Sequence, residues 1–389
     1  MDADVIVVGA GPAGALCAYL LARAGATVLI LEKALLPRYK PCGGGLTLRA
    51  LRFLPFDPSP IVEVRAIGGQ LAWEGRPLLQ CRREPYVALM VMRDRFDAWL
   101  VEQAQKVGAR LFTGALALRV EESKNFVQVE TPSGILRAAY LVGADGVNSV
   151  VARHLGWRRR PTGVALEAEL RVSARGLEQQ GAYLTFDFGA LPYGYGWIFP
   201  KTSHLSVGVF YAQEGRASDL KALLGHFLSH YPHVAGATIE RVQGHRIPLG
   251  GEPQTLHTRR ILLVGDAANL ADAFLGEGIS YALWSAHLAA SVLFDCLANG
   301  QASLAMYTHA VQKTIGRELR HAARLARWVY AHPKHAAALL VGSAWLQTLW
   351  IDTLTARRSF TALLRVLPLY LPAILAQNLT RRQHRGTMG

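Results

Sequence analysis

The chain begins with a short apolar run, residues 5–8, that breaks into Gly9-Ala10-Gly11-Pro12-Ala13-Gly14. Residues 15–24 are almost all small or apolar, Gly25 stops them, and a second apolar run over 27–31 ends on Glu32. This pattern predicts strand, tight turn, helix and strand, a βαβ unit about 30 residues long. After a loop over 37–46, residues 61–91 read as strands interrupted by turns at Gly68-Gly69 and Gly75-Arg76-Pro77. Phe96, Leu100, Ala104 and Val107 then recur at helical spacing, from Arg93 to a stop at Gly108. Strands at 110–112, 127–130 and 139–142 resume the first sheet, the last ending in Gly143-Ala144-Asp145-Gly146 with a helix expected near Asn148. Residues 164–211 read as a β-meander in which Tyr195, Trp197 and Phe199 alternate and so share one face. A buried strand at 261–264 ends in Gly265-Asp266, and 273–279 leads into another helix. The stretches 304–330, 336–351 and 360–375 are helical in pattern.

The first turn carries the clearest chemistry. Gly9 permits the tight turn, Gly11 lets backbone approach a pyrophosphate, and Gly14 lets helix and strand pack closely. The helix start supplies free N–H groups and partial positive charge. Glu32 is placed to accept hydrogen bonds from a ribose. The loop at 37–46 holds Pro37, Pro41 and the run Gly43-Gly44-Gly45, so it is no element interior and suits wrapping a flat or bulky ligand. Cys42 within it reads either as a buried structural thiol or as a reactive one. Asp145 reads as an N-cap or as a cofactor-facing acid. Asp266 suits the sugar-chain hydroxyls of a flavin, with the N–H groups of Gly278 and Ile279 facing its pyrimidine edge. A site assembled from residues so far apart requires a discontinuous nucleotide domain with the meander inserted. The stripe Tyr195, Trp197, Phe199 is core, or the lining of a cavity for a long apolar ligand.

Composition narrows the class. With 389 residues, 51% apolar and 18% charged, the chain buries a large core and is not disordered. Its net charge of +14 is uneven: from Gly316 onward eleven Lys/Arg face only Glu318 and Asp352. That asymmetry points to an anionic partner, a membrane surface or nucleic acid. Nucleic acid ranks low, because little aromatic and basic interleaving falls on predicted strands. Four cysteines without C-x-x-C spacing indicate a reducing compartment, no disulfide framework and no metal site. No secretory signal peptide is expected, since Asp2 and Asp4 stand where a basic leader would be. The apolar tail segments are broken by Gly342, Pro368 and Pro372 and fall short of the ~20 residues that span a bilayer. Flanked by Arg357-Arg358 and Arg381-Arg382, they fit helices in a membrane interface or a cap on the protein's own core.

Residues 1–310 together resemble the geranylgeranyl reductase family of FAD-dependent enzymes, within the p-hydroxybenzoate hydroxylase-like superfamily. Gly9-x-Gly11-x-x-Gly14, Asp145-Gly146 and Gly265-Asp266 are superfamily features. Cys42-Gly43-Gly44-x-Leu46 after Tyr39 is similar to the family's own loop, with Pro41 where Trp is usual. Tyr195-x-Trp197-x-Phe199-Pro200-Lys201, then six residues and Gly208, matches its substrate-domain motif. The resemblance implies an α/β fold: a discontinuous Rossmann-like FAD-binding domain (1–60, 92–160 and 255–310), an inserted antiparallel β-sheet substrate domain (61–91 and 161–254), and a C-terminal helical, basic region (311–389). It implies FAD contacts at Gly9, Gly11, Ala13, Gly14, Glu32, Lys33, Cys42, Gly43, Gly45, Arg93, Asp145, Asp266, Gly276, Gly278 and Ile279.

The family reduces isolated C=C bonds of prenyl chains. Hydride from reduced flavin then needs a proton at the other carbon, and a dry tunnel does most of the work by positioning. Tyr195, Trp197 and Phe199 would line that tunnel, and Lys201 would hold a diphosphate head. Cys42, Tyr195 and Trp197 are the catalytic candidates, with Cys42, Tyr195 or water as proton donor. One dinucleotide fingerprint implies a transient electron donor, NAD(P)H or ferredoxin. The expected setting is cytoplasmic, peripheral at the inner face of a membrane. Two alternatives stand: a monooxygenase or halogenase of the same superfamily, whose Trp-x-Trp-x-Ile-Pro motif is two substitutions from Tyr195–Pro200, or a non-catalytic FAD-bearing membrane-binding protein.

Overall fold

A computed structural model describes residues 1–157, 161–213, 219–299 and 303–366. Its first layer is a parallel sheet built from strands too apolar to leave either face in water. Ala3–Val8 lies between Val28–Glu32 and Gly134–Gly143, with Val5 opposite both Val28 and Tyr140. Arg110–Thr113 extends the sheet beyond Val28–Glu32, and Ile261–Leu263 pairs in parallel with the end of Gly134–Gly143. Val127–Thr131 and Arg119–Glu122 add an antiparallel flap. The helices Pro12–Arg23 and Ile279–Asn299 pack against each other on this sheet, bringing the two ends of the first 300 residues together. Ile279–Ala298 is long and apolar enough to cross a membrane by length and composition, yet 56% of it is buried inside the protein.

The second layer departs from the expected meander. Its seven strands run in the order Thr238–Pro248, Thr162–Arg171, Leu205–Tyr211, Gly194–Pro200, Tyr183–Asp187, Gly68–Trp73, Arg76–Arg82. The helix Ala174–Gln180 carries the chain from Thr162–Arg171 to Tyr183–Asp187, leaving room for the next two strands between them. Tyr183–Asp187 runs parallel to Gly68–Trp73. Gly68 and Gly69 therefore lie inside a strand and make no turn. A Cβ on Gly68 would stand 2.2 Å from the Cys81 carbonyl, so the glycine serves close approach of neighbouring strands. Gly45–Thr47, Ala88–Val91 and Val62–Ala66 form a small third sheet, so residues 61–91 divide between two sheets.

The tail is helical but more broken than its pattern predicts. The stretch 304–330 splits at Thr314 (φ −108°, ψ −85°) into Ala305–Lys313 and Ile315–Ala331. The stretch 336–351 splits at Gly342-Ser343 into Pro333–Val341 and Ala344–Leu354, the second capped by the Ser343 hydroxyl. A further helix starts at Phe360; the rest of the expected 360–375 segment, with Pro368 and Pro372, and Arg381, Arg382 and Arg385 lie outside the described residues. Leu325, Val329, Trp350, Ile351 and Phe360 form one buried cluster with Leu71, Phe186, Tyr195, Trp197 and Phe274. The apolar side of the tail thus roofs the second sheet. Both tail acids also turn inward: Glu318 accepts from the Phe360 and Thr361 amides, and Asp352 pairs with Arg83 at 2.9 Å.

Candidate active site

Between the two large sheets lies one cavity of about 930 Å³. Its floor is the glycine turn. Gly9 holds φ +106°, and a Cβ there would be 2.3 Å from the Ala144 carbonyl; a Cβ on Gly14 would be 2.0 Å from Gly9 O. Gly14 therefore acts behind the turn and does not line the cavity. Gly11 does line it, and a Cβ there would meet no protein atom within 4 Å. Pro12 begins the helix with no side-chain cap and no acid in the first turn, so the free N–H groups face the cavity uncompensated. Ala13, Glu32 and Lys33 line the same end. The buried Glu32 carboxylate accepts from the Ala10 amide at 2.9 Å and the Ala34 amide at 3.1 Å.

Asp145 lines the cavity, but its carboxylate is committed locally. It accepts from the Ser149 hydroxyl at 2.5 Å and the Val150 amide at 2.6 Å, capping Val150–His154. Gly276, Gly278 and Ile279 close the opposite wall at the start of the long helix, beside Asp266, whose carboxylate lies 3.5 Å from Lys40 Nζ. Gly276 holds φ +66°, another position suited to glycine.

The cysteine loop and the aromatic strand are joined directly. A Cβ on Gly43 would stand 2.7 Å from the Phe199 ring, so loop backbone approaches that ring too closely for a side chain. Gly44 holds φ +68° and approaches Val91 O too closely for any side chain. Lys201 Nζ donates to Gly43 O at 2.9 Å and Val91 O at 2.8 Å. Gly208 leaves a seat for the Trp197 indole, which a Cβ would meet at 2.3 Å. Trp197, Phe199, Lys201 and Gly208 of the motif thus each have a packing reason. Tyr195, Trp197, Phe199, Cys42, Gly43, Gly45 and Arg93 all line the cavity, and Arg93 is held by a bidentate pair with Asp97 at 2.8 and 3.0 Å.

Two expectations change. Lys201 is buried and does not line the cavity: its ammonium is spent on two main-chain carbonyls, so it is no receptor for a diphosphate. Tyr195 donates its proton to Leu275 O at 2.6 Å, and burial, with Asp272 and Cys42 nearby, pushes its pKa well above the ordinary tyrosine value. That hydroxyl is a poor proton donor.

Sequence reasoning missed three groups. His245 lines the cavity with a buried Nε2 that has no partner; burial and the nearby Lys40 lower its pKa to about 4. Glu167, also lining the cavity, and Glu169 sit two apart on Thr162–Arg171, both almost fully buried. Strand alternation puts them on the cavity face, opposite Leu166, Ala168 and Leu170 in the core below. Burial and Glu169 raise the Glu167 pKa to about 7, and burial raises Asp272 to about 7. Both carboxyls keep a proton in the native state that the unfolded chain gives up as pH rises through about 4. Native protein thus holds more protons between pH 4 and 7, and stability falls as pH rises through that window. Chemical unfolding of the apoprotein should show lower stability at pH 8 than at pH 5.5, with the difference reduced in Glu167→Gln.

These features fit FAD. An open glycine turn meets an uncapped helix start, His245 with its unpartnered ring nitrogen lines the cavity, and a second helix start stands opposite. Among the described residues no group of three or more His, Cys, Asp or Glu is placed to hold a metal ion.

Comparison with known proteins agrees with this geometry. Residues 2–180 match a model described as FAD binding domain. The chain is 30% identical over 341 residues to digeranylgeranylglycerophospholipid reductase 1 of Methanopyrus kandleri, covering 85% of this chain and 90% of that protein. It is 33% identical over 319 residues to menaquinone reductase of Mycobacterium tuberculosis, covering 75% and 76%. Its fold superposes on a geranylgeranyl bacteriochlorophyll reductase-like protein from Thermoplasma acidophilum with a TM-score of 0.77 at 24% identity, covering 96% and 98% of the two chains. The chain belongs to the geranylgeranyl reductase family and is an FAD-dependent oxidoreductase.

Proposed function

We propose that this enzyme saturates isolated C=C bonds in a geranylgeranyl or related prenyl chain. The observation that carries the reading is a cavity whose floor is the nucleotide turn and whose walls are the Cys42 loop and the Tyr195, Trp197, Phe199 stripe, locked together by Lys201. Bound FAD, when reduced, would supply the hydride. Gly11, Ala13 and the helix start would hold its pyrophosphate, with Glu32 and Lys33 toward the adenosine end. Arg93, Asp266, Gly278 and Ile279 would hold the ribityl and ring, with the Cys42-Gly43 backbone packed alongside. The aromatic stripe would hold an apolar chain and keep water out, which places one double bond for reaction. The relatives' names support a long isoprenoid substrate and differ in what carries it. Electrons would arrive from NAD(P)H or ferredoxin bound in passing.

The test is anaerobic. Dithionite-reduced enzyme should add two-hydrogen mass increments to geranylgeranyl diphosphate or to a geranylgeranylated lipid. A requirement for oxygen, with oxygenated or halogenated product, would instead support the monooxygenase or halogenase reading.

We also propose peripheral attachment at the cytoplasmic face of a membrane, through the outer side of the tail. Trp328, Val341 and Trp345 are exposed on the tail helices, as are Arg324, Arg327 and Lys334, and both tail acids are turned inward. Exposed aromatic and cationic side chains on these helices suit an anionic headgroup layer. At ~1 kcal/mol per cation near such a surface, reversing Arg324, Arg327 and Lys334 to Glu should weaken binding to phosphatidylserine vesicles by roughly 10²-fold or more. Equal sedimentation of both proteins with these vesicles, in low and high salt, would refute attachment through this face.

A further inference from the structure

Glu167 is an acid without an obvious structural purpose. Its side chain is 2% exposed, it lines the cavity, and its Oε1 accepts from the Ser206 hydroxyl at 2.6 Å. Ser206 in turn lies 3.5 Å from the Trp197 ring nitrogen, so Glu167 adjoins the Trp197 part of the aromatic wall. The Cys42 amide faces it from the loop, and Lys201 approaches from the end of Gly194–Pro200. From the other neighbouring strand, Gln243 stands opposite in register, and Arg241 covers the Tyr39 ring at 4.2 Å.

From Glu167 a line of exchangeable groups leads outward. The Tyr39 hydroxyl lies 3.5 Å from Glu167 Oε2 and 3.2 Å from Glu169 Oε1. Glu169 Oε2 lies 3.0 Å from His204 Nε2, although the two are not aligned as a straight hydrogen bond. His204 Nδ1 is 3.4 Å from the hydroxyl of Ser203, which is exposed. A hydroxyl between two carboxyls can accept one proton while passing on another, and an imidazole can do the same through its two nitrogens.

We propose that Glu167 is the proton donor for double-bond reduction and that Tyr39, Glu169 and His204 re-supply it from solvent. This rests on the prenyl-reductase reading. In the reaction, hydride from the reduced flavin forms a C–H bond at one alkene carbon. The π electrons take the carboxyl proton of Glu167 at the other carbon, breaking its O–H bond and leaving a carboxylate. The alkene is reduced, the flavin is oxidised, and the carboxylate regains a proton along the relay. A carboxyl whose pKa is raised to about 7 matches this task. Tyr195, with its proton committed to Leu275, does not.

Glu167→Gln keeps the size of the side chain and an oxygen for Ser206. Its turnover should fall by about 10²-fold, while KM and FAD affinity stay within about threefold. Wild-type turnover should decline as pH rises through about 7, because the acid form is the active one. The residual Glu167→Gln rate should be flat there, and Glu167→Asp should recover part of the loss. In Tyr39→Phe the first turnover should be normal and later ones slow. A readout free of catalysis is the infrared carbonyl stretch of a protonated carboxyl in the wild-type protein. It should vanish above about pH 8 and be missing from Glu167→Gln, with Asp272→Asn marking the contribution of the other carboxyl raised to about 7. Turnover of Glu167→Gln within threefold of wild type, or an unchanged pH profile, would overturn the proposal. Should the wild type reduce no prenyl compound, the functional reading fails by itself, and absence of the Glu167 band would separately overturn the assignment of a protonated acid there.

Discussion

Gly11→Val protein is expected to fold and unfold like wild-type apoprotein yet to purify colourless, with FAD affinity lowered by about 10³-fold or more. The expectation follows from the different demands on three glycines in one turn. Gly9 and Gly14 have protein backbone against the missing Cβ, at 2.3 Å and 2.0 Å, so a side chain at either must displace a strand or a helix. Gly11 has extended backbone (φ −76°, ψ −179°) that any residue adopts, and nothing within 4 Å. Whatever needs its smallness is not protein. An isopropyl group there fills the space in front of the uncapped helix start, where a pyrophosphate would take the free N–H groups. Losing that contact by about 4 kcal/mol corresponds to about 10³ in affinity. Flavin absorbance after gel filtration, with circular dichroism and a urea unfolding curve of the apoprotein, checks both halves. Gly11→Val protein that stays yellow would place the pyrophosphate elsewhere. Gly9→Ala should instead fail at the folding stage.

That contrast also explains which parts of the site are legible from sequence. The glycine turn, Glu32 and the Gly265-Asp266 turn declare themselves because their chemistry lies in fixed spacings within a few residues. The Tyr195, Trp197, Phe199 stripe is legible as a shared face because strand periodicity is local, but nothing local says that Gly208 exists to seat Trp197. Glu167 and Glu169 are hidden by the same periodicity. In the run Leu166-Glu167-Ala168-Glu169-Leu170 acids alternate with apolar residues, the signature of a strand with one face in water. The cysteine loop, folded over that face from more than a hundred residues away, brings Tyr39 onto both acids and helps bury them. The tail gave a similar ambiguity. Its apolar residues are compatible with a membrane interface or a core, and the contacts of Trp350, Ile351 and Phe360 with the second sheet show where that face is spent.

Lys201 is the residue whose role sequence and structure describe most differently, and its substitution separates the two descriptions. Replacing it by Met keeps the length of an apolar chain and strips the partner from Gly43 O and Val91 O, which reach it across 158 and 110 residues of sequence. Each orphaned buried carbonyl costs about 1–3 kcal/mol. Part of this is offset because no ammonium need be buried, and burial is the main cause that lowers the Lys201 pKa. A net loss of about 3 kcal/mol in denaturant unfolding is therefore expected. Because the same bonds hold the Cys42 loop against Phe199, FAD affinity should fall as well, by about tenfold. The loss of activity should be equal for a prenyl diphosphate and for a neutral prenyl lipid. A diphosphate receptor would behave otherwise: stability and FAD binding would be preserved, and KM would rise for the diphosphate alone. The three measurements point one way only if Lys201 is what its two hydrogen bonds make it, the bolt between the two motifs that mark this family.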